Sequence, residues 1–134
     1  MWSGFCYRYW PVVWLQSVVL QLGDPCASGS VWQGVTCGAG LVVEVDLQSL
    51  GVAGTIPSSL GAMTTLQLLQ LLGNKLTGTI PTSFASMVAL TLMQIHDNEL
   101  TGTIPSSMGS MSSLVELKIN KNSLSGAVPE ALCA

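Results

Sequence analysis

The sequence predicts an α/β solenoid, a right-handed superhelix of about four 24-residue coils with parallel strands on its concave side. Prolines that follow Ile or Val recur every 24 residues, at Pro57, Pro81, Pro105 and Pro129. Apolar residues fill fixed columns in the same frame, and one coil cannot bury its own apolar side chains, so neighbouring coils must stack. The 134 residues are enough for one domain of ordinary size.

The composition excludes several other classes of protein. Hydrophobic residues make up 49% of the chain and charged residues 8%, whereas a disordered chain has few apolar residues and many charges. A net charge of −3, without a basic stripe, makes nucleic acid a poor partner. The longest uncharged stretch, residues 47–74, is interrupted by Pro57 and several glycines and does not predict a membrane-spanning helix.

Each coil begins with a short strand whose alternating apolar residues place one side toward the core. The columns of this strand are Val42, Leu66, Leu90 and Leu114; Val45, Leu69, Met93 and Leu117; and Leu47, Leu71, Ile95 and Ile119. After the prolines we expect brief helical turns, with the columns Leu60, Phe84, Met108 and Leu132, and Met63, Met87 and Met111. A methionine column of this period is typical of core packing rather than of a metal site.

Polar and small residues in each coil have structural roles in this interpretation. Asn74, Asn98 and Asn122 recur after the strand, where a carboxamide can bond the backbone of the same and the next coil. Leu50 occupies this position in the first coil, so the asparagine ladder should begin one coil late. The glycine of each Gly-x-Ile-Pro segment predicts a positive φ or a position without room for a Cβ. A second short strand is expected near the same segment.

The repeated pattern L-x-x-L-x-L-x-x-N-x-L-T-G-x-I-P, over residues 42–134, resembles that of the plant-type leucine-rich repeat family. The resemblance implies a right-handed leucine-rich-repeat superhelix and a non-catalytic role in recognition. In these features the chain is similar to receptor-like kinase ectodomains and to polygalacturonase-inhibitor-like proteins. The family often ends in a cysteine-paired C-terminal cap, and only Cys133 is present near residue 134, so we expect that cap to be missing.

Residues 23–41 resemble the cysteine-paired N-terminal cap of the same family. The motif runs from Cys26 through Trp32-Gln33-Gly34-Val35-Thr36 to Cys37, with a longer spacer before Trp32 than is usual. The resemblance implies a disulfide between Cys26 and Cys37, with Trp32 as a lid on the first coil. A cysteine-pair metal site is the alternative, but a metal needs about four ligands and no second close cysteine pair exists.

The remaining N-terminal residues, 1–22, allow two interpretations. Residues 11–22 fit an amphipathic cap helix that begins at Pro11. Arg8 followed by an apolar stretch is also the arrangement of a secretory leader, although no convincing cleavage site follows. Cys6 and Cys133 have no evident partner.

No catalytic constellation, metal cluster or cofactor motif is present in the sequence, which predicts neither an enzyme nor a cofactor. The carboxylates are scattered and His96 is the single histidine. Because neighbours along a strand point to opposite faces, His96 and Asp97 are expected not to form a dyad. His96 is expected to be exposed to solvent.

The outward positions of the strands predict a binding surface on the concave side. Their columns are Glu44, Leu68, Leu92 and Glu116; Asp46, Gln70, Gln94 and Lys118; and Gln48, Leu72, His96 and Asn120. Leucines among amides on a wet face are typical of an interaction site. The residues predicted to bind a partner, here named the concave patch, are Leu68, Gln70, Leu72, Leu92, Gln94, His96, Glu116 and Lys118. A histidine there predicts binding that depends on pH between about 5 and 7.

By resemblance, the chain is expected to recognise a protein or peptide, or a glycan, at the cell surface or after secretion. It would be membrane-associated as part of a larger receptor. The alternative is a structural fragment of such a receptor without a ligand of its own. In that case its open C-terminal end is expected to self-associate or to need a partner.

Overall fold

The structure is a computed structural model that describes residue 26 and residues 32–132. The two interpretations of residues 1–22, and the pairing of Cys6 and Cys133, lie outside the described residues.

Stacked strands form two sheets in the part of the chain that the structure describes. The strands in chain order are β1 (Val35–Gly38), β2 (Leu41–Asp46), β3 (Ala53–Thr55), β4 (Leu68–Gln70), β5 (Lys75–Thr77), β6 (Leu92–Gln94) and β7 (Glu116–Lys118). The larger sheet has the order β1-β2-β4-β6-β7, and the smaller sheet pairs β3 with β5. Strands β2, β4, β6 and β7 are parallel, while β1 is antiparallel to β2. The chain is therefore a solenoid with one strand of the main sheet per coil.

The register of the main sheet follows the 24-residue period of the sequence. Val45 pairs with Leu69, Leu69 with Met93, and Met93 with Leu117. Val45, Leu69 and Met93 are fully buried, and Leu117 in the last strand is partly buried. Equivalent apolar side chains of successive coils therefore shelter one another, as the repeat predicts.

Short 3-10 helices close the coils on the side opposite the main sheet. They span Ser58–Ala62, Thr82–Ser86, Ser106–Ser110 and Glu130–Leu132. Pro57, Pro81 and Pro105 precede the first three in an extended conformation, which suits a residue whose ring fixes φ and which lacks an N–H. These are the brief helical turns expected after the prolines.

One hydrophobic cluster runs through all the coils. It includes Phe84, Met87 and Met108, which are fully buried, and Met111, which is almost so. Met87 and Met111 of the methionine column therefore belong to the hydrophobic core, and Met63 packs against it. Apolar residues of the last coil are only partly buried; they are Leu114, Leu117, Ile119, Leu124 and Leu132.

The N-terminal cap covers the first coil. Cys26 and Cys37 form a disulfide, and Cys26 and Trp32 pack against the core cluster. Gly34 has φ +78°, and a Cβ there would overlap the carbonyl of Asp46, whose N–H donates to the Gly34 oxygen at 2.7 Å. Glycine is required at this close approach.

Replacing both cysteines, Cys26→Ser with Cys37→Ser, should lower the free energy of unfolding by about 3 kcal/mol, because the disulfide closes a short loop in the unfolded chain. The measurement is urea unfolding with and without reductant. Reductant should weaken the parent chain and leave the double variant unchanged. Equal midpoints for parent and variant would contradict a stabilising role for the disulfide.

No helix in the part of the chain that the structure describes is long and apolar enough to cross a bilayer.

Candidate binding surface

Asparagine side chains form a buried ladder behind the main sheet. Asn98 Oδ1 accepts the Leu76 N–H at 3.0 Å, and its Nδ2 donates to the carbonyls of Leu71 and Ile95 at 2.9 and 3.1 Å. Asn74 and Asn122 make the equivalent bonds in their own coils. The bonds run to the same and the preceding coil, not to the next coil as the sequence interpretation had it. The first of these amides is Asn74, since Leu50 takes the equivalent place in the first coil.

A left-handed residue precedes each asparagine and turns the chain out of the strand. Gly73 has φ +67°, Asp97 +54° and Lys121 +52°. Residues other than glycine rarely adopt this left-handed backbone conformation. This column was not predicted from the sequence, although the glycine at Gly73 indicates a positive φ there. One consequence is an ion pair between coils, with Lys121 Nζ 3.1 Å from Asp97 Oδ1.

Polar members of the concave patch are joined across three strands. Gln70 Nε2 donates to Gln94 Oε1 at 3.1 Å, and Gln94 Nε2 donates to Glu116 Oε1 at 2.8 Å. Lys118 Nζ lies 2.7 Å from the same Glu116 oxygen. The Lys118 hydrogen bond, followed by the one from Gln94, lowers the pKa of Glu116 below its usual value. This ladder holds the middle of the patch in one arrangement.

Leucines of the concave patch lie on the side of the sheet that faces away from the core. Leu68 and Leu92 are paired across β4 and β6, next to Glu116 of β7, and Leu72 follows β4. All three leucines are half-buried, so they are less open to solvent than the wet face expected from the sequence implies. Strands about 4.8 Å apart bring the side chains of one column into mutual contact, which shields them.

His96 differs from the sequence expectation in two ways. Its side chain is only 16% exposed, so it is not the solvent-exposed histidine that was expected. Its Nε2 lies 3.8 Å from Asp97 Oδ2, because both residues follow β6 and the left-handed backbone of Asp97 turns its carboxylate back. The rule of opposite faces therefore does not apply to this pair. His96 Nδ1 is buried and has no hydrogen-bond partner within residue 26 and residues 32–132.

The described residues contain no group of three or more His, Cys, Asp or Glu side chains that could hold a metal ion. Cys37, which the sequence left open to a metal, is bonded to Cys26. The site is therefore a surface of amides, leucines and one ion pair. Such a surface can offer hydrogen bonds and apolar contact to another molecule.

Parallel strands at one per coil, a buried asparagine ladder and a disulfide-bonded cap define a leucine-rich repeat solenoid. Residues 65–87 match the family model described as Leucine Rich Repeat. The chain is 51% identical over 49 residues to Receptor protein kinase WSS1 of Oryza sativa subsp. japonica, a match that covers 34% of this chain and 5% of the relative. The chain thus spans a small part of the curated relatives it matches.

Two solved structures show the same likeness over more of the fold. A chain of the BIR3–SERK2 complex from Arabidopsis thaliana has a TM-score of 0.71 at 33% identity, covering 87% of this chain and 65% of that chain. The plant peptide hormone receptor RGFR1 in complex with RGF2 has a TM-score of 0.60 at 41% identity, covering 60% and 13%. The chain therefore folds as a leucine-rich repeat solenoid with a cysteine-paired N-terminal cap, and it is similar to these plant receptor proteins.

Proposed function

We propose that the chain is a non-catalytic recognition module that binds a protein or peptide on its concave patch. The observation that carries the proposal is the mixture of three half-buried leucines with an ordered ladder of amides on a face that does not belong to the core. Apolar side chains surrounded by satisfied polar groups form the usual anatomy of an interface.

The ladder adds pre-organisation to this surface. Gln70, Gln94 and Glu116 already hold one another, so a ligand would not have to order them on binding. Because fewer side chains lose conformational entropy on binding, the same contacts give a higher affinity. Leu68 and Leu92, in register on neighbouring strands, provide the apolar anchor beside this ladder.

His96 contributes to the patch a buried polar atom, Nδ1, that has no hydrogen-bond partner among the described residues. Its buried Nδ1 can exchange a hydrogen bond with a ligand that reaches the space between the coils. Binding that depends on pH between about 5 and 7 stays a prediction, which His96→Gln would abolish.

Similar proteins support a protein or peptide as the partner. One of the matched structures is a peptide hormone receptor in complex with RGF2, and another is a complex of BIR3 with SERK2. One of the matched curated relatives, WSS1, is a receptor protein kinase, which supports a place at the cell surface for this chain. Secretion and binding to a glycan stay predictions.

A structural segment of a larger receptor, without a ligand of its own, is the second candidate. It is favoured by the small share of the curated relatives that the chain covers, 5% and 6%, and by the partly exposed apolar residues of the last coil. In that case no concave variant would change binding of any ligand.

Selection of binders from a randomised peptide library displayed on phage tests the recognition module. The substitutions Leu68→Ser and Leu92→Ser together should weaken binding of the selected peptides roughly tenfold or more, because the apolar anchor is lost. Gln94→Ala should weaken it as well by breaking the ladder. Binding is measured by titration calorimetry at a temperature where all variants are folded.

Val88→Ser is the matched control, since it also removes an exposed aliphatic side chain but lies outside the concave patch. It should leave peptide binding unchanged. Peptides that bind the control and the concave variants equally well would place recognition elsewhere. A library that yields no binders to the parent chain would favour the structural segment.

A further inference from the structure

The C-terminal coil carries an apolar surface that earlier coils do not expose. A groove of about 400 Å³ opens there between Met108, Met111, Leu114, Leu117 and Leu132. Leu114 and Leu117 are partly exposed there, whereas their equivalents in the two preceding coils, Leu66, Leu69, Leu90 and Met93, are fully buried.

The backbone of β7 is open on the same side. Leu47, Leu71 and Ile95 each donate a backbone N–H to the strand carbonyl of the following coil, at 2.8 to 2.9 Å. Ile119 holds the same place in the last coil, and the described chain offers it no such acceptor. In a parallel sheet, successive residues direct their backbone N–H and C=O alternately to the strand on one side and to the strand on the other. Glu116 and Lys118 bond the preceding coil, so Leu117 between them directs its N–H and C=O away from β6.

We propose that two copies of this chain associate through β7, in antiparallel register, across a two-fold axis at Leu117. In this register the two Leu117 residues exchange both backbone hydrogen bonds, and the Ile119 N–H meets the Val115 carbonyl of the other copy. The two grooves then face each other, and the partly exposed Leu114 and Leu117 side chains of the two copies cover one another. Every open backbone group identified on β7 and Ile119 is satisfied.

Charge complementarity favours a second copy over other occupants. The same register sets Glu116 directly opposite Lys118 of the other copy, twice by symmetry. These side chains already pair within one chain at 2.7 Å, so their charged ends lie close to the new contact.

The test is a charge exchange read out by sedimentation velocity, in a Cys6→Ser, Cys133→Ser background that rules out disulfide-linked dimers. The parent chain should form dimers as its concentration is raised. Lys118→Glu alone, and Glu116→Lys alone, should each raise the dimer dissociation constant roughly tenfold, because like charges then face each other. An equimolar mixture of the two variants should recover the parent value, because opposite charges again meet.

Lys75→Glu is the matched control, since it reverses an exposed lysine on β5, in the smaller sheet, and should leave dimerisation unchanged. Exchange protection of the Leu117 amide should rise with concentration in the parent chain. The proposal would be overturned if the parent chain stayed monomeric or formed an open-ended series of larger oligomers. It would also be overturned if the charge-reversed variants had the same dimer dissociation constant as the parent chain. None of these results depends on a concave ligand.

Discussion

Asn98→Ala should lower the free energy of unfolding by about 3–4 kcal/mol, because its amide satisfies several buried backbone groups at once. The substitution leaves the buried Leu76 N–H without its partner, which costs on the order of 1–3 kcal/mol. It also removes the Asn98 hydrogen bonds to the carbonyls of Leu71 and Ile95, at about 1 kcal/mol each, although these carbonyls keep their bonds to Asn74 and Asn122. For a domain whose total stability is on the order of 10 kcal/mol, such a loss is large.

Denaturant unfolding followed by circular dichroism measures this effect. Asn120→Ala is the matched control, since Asn120 is exposed and only its backbone carbonyl accepts hydrogen bonds from the neighbouring coil and from Asn122. It should change stability by less than about 0.5 kcal/mol. Equal effects of the two substitutions would mean that the ladder adds nothing beyond an ordinary surface amide.

Phe84→Ala should cost about 3–5 kcal/mol, the range for removal of a large buried aromatic side chain. Phe84 is fully buried in the 3-10 helix Thr82–Ser86, between the helices of the coils before and after it. Its neighbours in the column, Leu60 and Met108, cannot fill the space without moving their own coils.

The graded variant Phe84→Leu tests whether volume is the cause. It should cost clearly less than the alanine variant, because leucine already occupies this column at Leu60. Thermal unfolding of the three chains should therefore rank the parent first, the leucine variant second and the alanine variant last. Equal loss in both variants would point to the aromatic ring itself instead of the packed volume.

Much of the fold could be predicted because the same pattern of apolar, glycine and proline positions recurs in about four coils. The register of Val45, Leu69 and Met93, the disulfide of the cap and the 3-10 turns after the prolines agree with the pattern and with the family resemblance. Prediction was weaker wherever one residue departs from strand geometry. His96 and Asp97 were treated as strand neighbours, although β6 ends at Gln94 and Asp97 adopts a left-handed conformation.

The candidate site was only partly predictable for the same reason. Alternation along the strands correctly put Gln70 and Gln94 on the face away from the core, in register with each other. It gave no information on the hydrogen bond that joins them, nor on how deeply the leucines beside them would be shielded. Those properties depend on side chains 24 residues apart, which meet only after the coils have stacked.

The period, the inward columns and the positions of the prolines and asparagines follow from the sequence alone, because each is set within one coil and repeated in the others. The folded chain was needed to show that the asparagines bond the preceding coil and that His96 is mostly buried, with Nδ1 unpaired among the described residues. It was also needed to show which backbone groups of β7 and Ile119 have no partner in the described part of the chain. Hydrogen-bond direction, shielding and strand edges are properties of contacts between coils. A periodic pattern is the same in every coil and does not distinguish a middle coil from the last.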